Sequence, residues 1–235
     1  SEQFNTPPEN LVSALSFSHI RELLTIEDPL VRFFYETECI RGTWSVRELR
    51  RQIVSNLHIR IGLSEDKMKA MMLADSKAER HTPLLQIRDP YTFEFLGLQA
   101  KDVVTESDIE EALLGHLQEF LLELGKGFCF EARQKRIIID GEYYFADLVF
   151  YNRLLHCNVI VELKNDEFRH EHIGQLNAYV SYYAENEMQP GDNPPVGILL
   201  CTHKGKKMVE YALGSMDNHL FVSTYQLQLP NRQQL

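Results

Sequence analysis

The chain has little that would take it out of water. No apolar run approaches the roughly 18 residues a membrane-crossing helix needs. The N-terminus, Ser1-Glu2-Gln3-Phe4, lacks the basic-then-apolar pattern of a secretion signal, and the absent initiator methionine points to processing or trimming. The four cysteines (Cys39, Cys129, Cys157 and Cys201) are scattered, with no Cys-x-x-Cys pair. Reduced, buried thiols in a cytoplasmic protein with no membrane partner are therefore expected. No His/Cys cluster suits zinc, and His156, His170 and His172 form no ligand pattern. Positive charge is also short. Lys and Arg number 24 against 34 Asp and Glu, a net charge of −10 with a pI near 5.4. That counts against a protein that coats nucleic acid through its overall field, though not against one that contacts phosphates through local patches.

What is present is a core. At 235 residues and 44% hydrophobic, the chain can bury one large or two small domains. Residues 1–100 read as a helical region. Asn10 to Leu15 leads into Ser18 to Leu24, and Asp28-Pro29 opens a helix carrying Val31, Phe34 and Tyr35, with Pro in the first turn. Thr43-Trp44-Ser45 precedes a third helix, with Val46, Leu49, Ile53 and Leu57 at helical spacing. Pro83 and Pro90 flank a less regular segment with Tyr91, Phe93 and Phe95, which reads as a linker. Residues 101–235 read as an α/β domain. Ser107-x-x-Glu110 has the form of a capping box, and Ile109, Leu113, Leu117, Phe120 and Leu124 continue one helical face to Gly125. Strands are expected at 128–139, 143–151 and 155–163, with Asp140-Gly141 as a hairpin turn. A helix over 171–185, a strand over 196–201, a short helix over 207–213 and a strand over 220–225 complete an α-β-β-β-α-β order.

Two of these strands carry charge where apolar residues dominate. Asp147 sits within Phe145-Ala146-Asp147-Leu148-Val149-Phe150, and Glu162-Leu163-Lys164 ends the next run. Side chains alternate along a strand, so Glu162 and Lys164 share a face with Ile160. A tight turn at Arg153-Leu154 would pair Asn152 with Leu155. Asp147 would then lie opposite Ile160, with Glu162 its diagonal neighbour about 7–8 Å away. A slip of one residue would separate the acids. Two carboxylates at about 4 Å repel by of order 4 kcal/mol at an effective dielectric near 20. Lys164 and a hard divalent ion would relieve that repulsion, and Mg²⁺ accepts a sparse carboxylate pair with water and phosphate. An ordinary solvated sheet face with weak ion pairs is the alternative. The continuously apolar surroundings count against it.

Further motifs point the same way. They are Phe120 to Phe128, Arg133-Gln134-x-Arg136-Ile137, Asp147-Leu148-x-Phe150-Tyr151, Glu162-Leu163-Lys164, Gly174-Gln175-x-Asn177-x-Tyr179, Gly197-Ile198-x-Leu200-Cys201 and Val209 to Leu213. Together they resemble the PD-(D/E)XK nuclease superfamily, and within it the YhcG-type family, over nearly all of residues 107–230. Phe33 to Glu36 and Trp44 to Leu49 resemble the end of that family's helical N-terminal region, which is expected to be shortened here. The resemblance implies a restriction-endonuclease-like core acting as a Mg²⁺-dependent DNA endonuclease, with Mn²⁺ substituting. It implies Asp147, Glu162 and the Leu163 carbonyl as metal ligands and Lys164 as the catalytic lysine. Glu119 matches the acidic helix position that completes the metal shell, with Glu123 one turn on as its alternative. Gln175-x-x-x-Tyr179 resembles a site element, the alternative for Tyr179 being a core position beside Tyr182 and Tyr183. No proline precedes the first acid, where Phe145-Ala146 stands instead. Arg47, Arg50 and Arg51 on the helix after Trp44, and Lys204, Lys206 and Lys207 after a strand, are the candidate phosphate contacts. A homodimer is compatible with cutting two strands. A non-catalytic binding module on the same fold and an RNA nuclease remain open alternatives.

Overall fold

The computed structural model describes residues 8–60, 89–98, 105–214 and 219–228, and the chain divides into two compact units. The first, residues 1–80 with 229–235, is helical where described. It contains α1 (Pro8–Ala14), α2 (Phe17–Leu23), α3 (Pro29–Gly42), α4 (Val46–Val54) and α5 (Leu57–Arg60). The Asp28 carboxylate accepts the N–H groups of Leu30 and Val31, and Pro29 takes the first helical position. Ser45 and Glu48 form a reciprocal cap on α4. Leu15, Leu23, Leu30, Phe34, Tyr35 and Leu49 are buried together, and the Tyr35 hydroxyl donates to the Gln52 carbonyl at 3.0 Å.

The second unit, residues 81–228, is a six-stranded mixed sheet with helices on both faces. Its elements are β1 (Tyr91–Thr92), a 3₁₀ turn (Glu94–Leu96), α6 (Glu106–Gly115), α7 (Leu117–Leu124), β2 (Phe128–Ile139), β3 (Glu142–Asn152), β4 (Cys157–Leu163), α8 (His170–Asn186), β5 (Val196–Cys201), α9 (Lys206–Leu213) and β6 (His219–Gln226). The strand order is β1-β6-β5-β4-β3-β2. β2, β3 and β4 form the antiparallel meander, whereas β4, β5, β6 and β1 run parallel. One face packs Leu148, Phe150, Val159, Val161 and Leu163 against Ile109, Leu113, Phe120 and Leu124. The other packs Val149, Ile160, Leu199 and Cys201 against Ile173, Leu176, Tyr179 and Val180 of α8. Cover on both sides explains why these strands read as continuous apolar runs.

Four local features differ from the sequence reading. The segment around Tyr91 and Phe93 is not a linker. Both residues are fully buried, Phe93 packs on Phe120 and Tyr225, and β1 pairs with β6. Three aromatic rings within five residues were the overlooked signal. The helical stretch before β2 breaks at His116 (φ −123°, ψ 40°), giving α6 and α7 in place of one helix. The cap of α6 falls at Thr105 with Asp108, two residues before the expected box, which releases Glu110 from any capping role. Last, the β3–β4 turn spans 153–156, so Asn152 pairs with Cys157 and not with Leu155. Arg-Leu has no preference for the backbone of a two-residue hairpin. Instead the Asn152 side chain organises a longer turn, accepting the N–H groups of Leu154 and Leu155 at 3.0 and 3.1 Å and donating to the Lys126 carbonyl.

That turn rests on Gly127, at φ +82°, whose absent Cβ would lie 2.8 Å from both Asn152 Oδ1 and Leu154 Cγ. Gly127→Ala is expected to cost about 2 kcal/mol or more, read as a lower urea midpoint at unchanged m.

Candidate active site

The two-residue difference in the turn keeps the faces and changes the distance. Leu148 pairs with Val161, so the register continued by one residue sets Asp147 directly opposite Glu162. There the side chains take over the ladder. The Asp147 backbone N–H donates to Glu162 Oε1 at 3.0 Å, and the Leu163 N–H donates to Asp147 Oδ2 at 2.8 Å. Each acid thus binds the other's strand. Lys164 follows at once, its Nζ 4.0 Å from Glu162 Oε2 and its N–H bonded to the Leu200 carbonyl of β5.

Burial decides the electrostatics. Glu162 is 1% exposed, and its carboxyl is pushed up to about 8, first by burial and then by the Asp147 charge. Asp147 is raised as well, again chiefly by burial. The Leu163 N–H, Lys164 and Gln134 oppose that rise. One ammonium does not offset the buried Glu162 and the half-buried Asp147 together, so the pair is short of positive charge. Among the described residues no group of three or more His, Cys, Asp and Glu is placed to hold an ion. The donors the two strands bring together are the hard oxygens of the Asp147 and Glu162 carboxylates. That set fits a small divalent cation that keeps several waters.

Two residues at the site were not selected from the sequence. Glu110 on α6 is 2% exposed, and its charge acts on both Asp147 and Glu162. It is bonded to Arg133 Nε and, through Oε2, to Gln134 Nε2 at 2.6 Å. The same Gln134 amide donates to Asp147 Oδ1 at 3.0 Å. Gln134 reaches both acids because β2 is irregular here. A bulge lies between Phe130 and Ala132, and Gln134 itself has φ +46°. The Arg133-Gln134 motif was visible, but its partner was hidden by the misplaced cap.

Glu119 is not brought into this network. The break at His116 leaves α6 against β4 and turns α7 toward β1 and β2, where Glu119 is half-buried. Its alternative, Glu123, is fully buried and accepts the Thr92 N–H at 2.8 Å, holding β1. Tyr179 is buried in the α8 face, yet its hydroxyl feels the Asp147 and Glu162 charges. Burial is the main cause of its raised pKa. The exposed Gln175 donates to that hydroxyl at 2.7 Å. Lys204 is engaged elsewhere, donating to the Val222 carbonyl at 2.6 Å and pairing with Asp89. Lys207 is exposed, and the Lys206 side chain lies outside the described residues. In the helical unit Arg47 is exposed, Arg51 is half-buried and Arg50 is bound by Glu22 at 2.7 Å.

A helix, a three-strand meander, a helix and a further strand, with an Asp in the middle of the second meander strand facing a Glu-x-Lys at the end of the third, define a nuclease fold of the PD-(D/E)XK type. The chain belongs to the YhcG family within it: the YhcG PDDEXK nuclease domain matches residues 84–235, and the DUF1016 N-terminal domain matches residues 2–60. It is 44% identical over 214 residues to YhcG of Escherichia coli (strain K12), covering 91% of this chain and 56% of that protein. The chain thus spans about half the length of the curated relative it matches. Among solved structures, a repair endonuclease from Pyrococcus abyssi aligns with 55% of this chain and 50% of its own, at 22% identity and a TM-score of 0.37. An EndoMS–dsDNA complex aligns with 55% of this chain and 48% of its own, at the same identity and score.

The raised Glu162 carboxyl sets a pH dependence. Its folded value lies above the ordinary 4.5, so the folded state holds the proton more tightly than the unfolded chain. Stability without divalent ions should therefore fall as pH rises from about 4.5 to about 8. Glu162→Gln keeps an acceptor for the Asp147 N–H and should flatten that slope. Urea titrations at pH 8 in EDTA should show it about 3 kcal/mol more stable than wild type.

Proposed function

We propose that the chain is a divalent-metal-dependent deoxyribonuclease that hydrolyses phosphodiester bonds. One observation carries the reading: a buried Glu162 and a half-buried Asp147 face each other across β3 and β4, short of positive charge, with Lys164 beside them. A structural ion pair would not need this, since replacing such a cluster with apolar residues is often neutral or stabilising. Membership of a nuclease-domain family supports the reaction class.

Asp147, Glu162 and the Leu163 carbonyl would hold the ion. Mg²⁺ suits these hard oxygen donors, and Mn²⁺ shares the preference. Bound there, such an ion lowers the pKa of water and polarises a phosphoryl oxygen. The protein's own contribution is order. The reciprocal backbone bonds fix both carboxylates before substrate arrives, and Gln134, held by Glu110, fixes the Asp147 rotamer. Lys164 is anchored through its backbone to β5 and presents its ammonium on the Glu162 side. There it orients the attacking water or offsets the negative charge that grows on the phosphorus-bound oxygens. Water adds to phosphorus, one ester P–O bond breaks, and the leaving oxygen takes up a proton. On α8, Tyr179 has a hydroxyl that feels both acid charges and is bound by Gln175, which puts this pair in reach of the acids.

The test is cleavage of single-stranded, duplex and branched DNA in Mg²⁺ or Mn²⁺. Wild type should cut at least one substrate and lose that activity in EDTA. Asp147→Ala should abolish cleavage, and Lys164→Ala should lower kcat by roughly 10²–10³ with little change in DNA affinity. Thermal melts give an independent readout, since Mg²⁺ should raise the Tm of wild type more than that of Asp147→Ala. Failure of wild type to cut any of these DNAs with either ion would refute the reading.

A further inference from the structure

The hairpin of β2 and β3 runs on beyond the edge of β4. Pairing with β4 begins at Leu148, whereas β2 and β3 remain paired out to Ile139 and Glu142. Residues 135–146 therefore form a two-stranded ribbon projecting past the acids. Its inner face is packed, because Ile137, Ile139 and Ala146 join the α8 core and Tyr144 meets the Tyr179 ring edge-on. Its outer face carries Arg136, Ile138, Tyr143 and Phe145. Ile138 pairs with Tyr143, and Arg136 with Phe145. The Arg136 guanidinium lies over the Tyr143 ring, 5.3 Å from its centroid. Ile138, Tyr143 and Phe145 are 47%, 62% and 48% exposed.

A solvated strand face is ordinarily polar, and contiguous large apolar groups on one signal an occupant. The outer face has a chemistry to match: flat rings, one guanidinium and no carboxylate among its four side chains. Arg136 has no ion pair among the described residues. Rings offer stacking surface to any base, and a cation beside them suits the phosphate that links bases. Position favours nucleic acid over a protein partner. Phe145 lies two residues from Asp147 along β3, roughly 7 Å of strand, so the nucleotides that flank a phosphodiester held at Asp147 and Glu162 come within reach of the ribbon. Bases within a duplex have no free faces, so only unpaired ones can use it.

We propose that this outer face is a stacking platform for unpaired DNA bases beside the scissile phosphate, selecting single strands, flaps or frayed ends over continuous duplex. The inference rests on the nuclease reading for its orientation, but its test does not need cleavage. The full chain, in EDTA, is titrated against fluorescein-labelled DNA as a single strand, a blunt duplex and the same duplex with a flap, and binding is read by anisotropy. Tyr143→Ala/Phe145→Ala should weaken single-strand and flap binding by about tenfold or more, with less than about a twofold effect on duplex. Tyr143→Trp should retain wild-type affinity and show fluorescence quenching on the single strand. Equal losses on all three DNAs, no loss on any, or no binding by wild type would overturn the platform. So would a wild-type dimer that the double variant converts to monomer with DNA binding intact, since the face would then be a contact between copies. Mg²⁺-dependent cleavage by wild type, measured in parallel, separates the two ideas. If cleavage persists while the binding differences are absent, the platform falls and the nuclease reading stands.

Discussion

The exchange between Asp147 and Glu162 is the constraint around which the second unit is arranged. Each carboxylate accepts an N–H of the opposite strand, taking the place of a ladder carbonyl on its own strand. The sheet therefore changes from backbone pairing to side-chain pairing at the point where chemistry is needed. Such an arrangement is poor for stability, because burial and mutual repulsion both disfavour the charged forms. It is held in place by the backbone bonds that each acid accepts and by the packing around them. Apolar layers cover both faces of the sheet, and α8 and α6 pack against β4 from either side.

Positioning that pair depends on features some distance away. The Asn152 turn sets the register, and Gly127 lets the turn pass close to β2. A register two residues different would keep the faces and lose the exchange of backbone bonds, because the acids would no longer be opposite. The loops that follow β4 and β5 are stitched together as well. Thr202 N–H donates to the Asp166 carbonyl and Phe168 N–H to the His203 carbonyl. Lys164 thus stands on a braced segment, which suits a group whose charge must sit at a fixed place.

The elements were legible from sequence where periodicity and apolar content were strong. β2 and β5 fall where expected, and β3, β4, α8, α9 and β6 differ by a residue or two at their ends. Convergence of Asp147, Glu162 and Lys164 followed from face parity, which a two-residue change in the turn does not alter. The losses share one cause, which is that sequence patterns reveal local bonds more readily than distant ones. The Ser107-x-x-Glu110 pattern is a valid cap in form, yet Thr105 and Asp108 win it, so Glu110 turns to Arg133 and Gln134 some 23 residues on. Likewise the resemblance pointed to Glu119 on one continuous helix, whereas the helix breaks at His116 and Glu119 stands on the second piece. Short β1 had no periodicity to detect, since its two residues are held by β6 and by Glu123.

The irregularity of β2 also has a bearing on how this protein survives at high concentration. β2 is an outermost strand twelve residues long, with one row of backbone groups facing outward. A flat strand of that length would be a template for fibrils and edge-to-edge association. The bulge before Ala132 and the left-handed Gln134 interrupt its repeat, and Glu131, Arg133 and Lys135 put charge along the same stretch. The distortion that aims an amide at Asp147 therefore also keeps the sheet from growing.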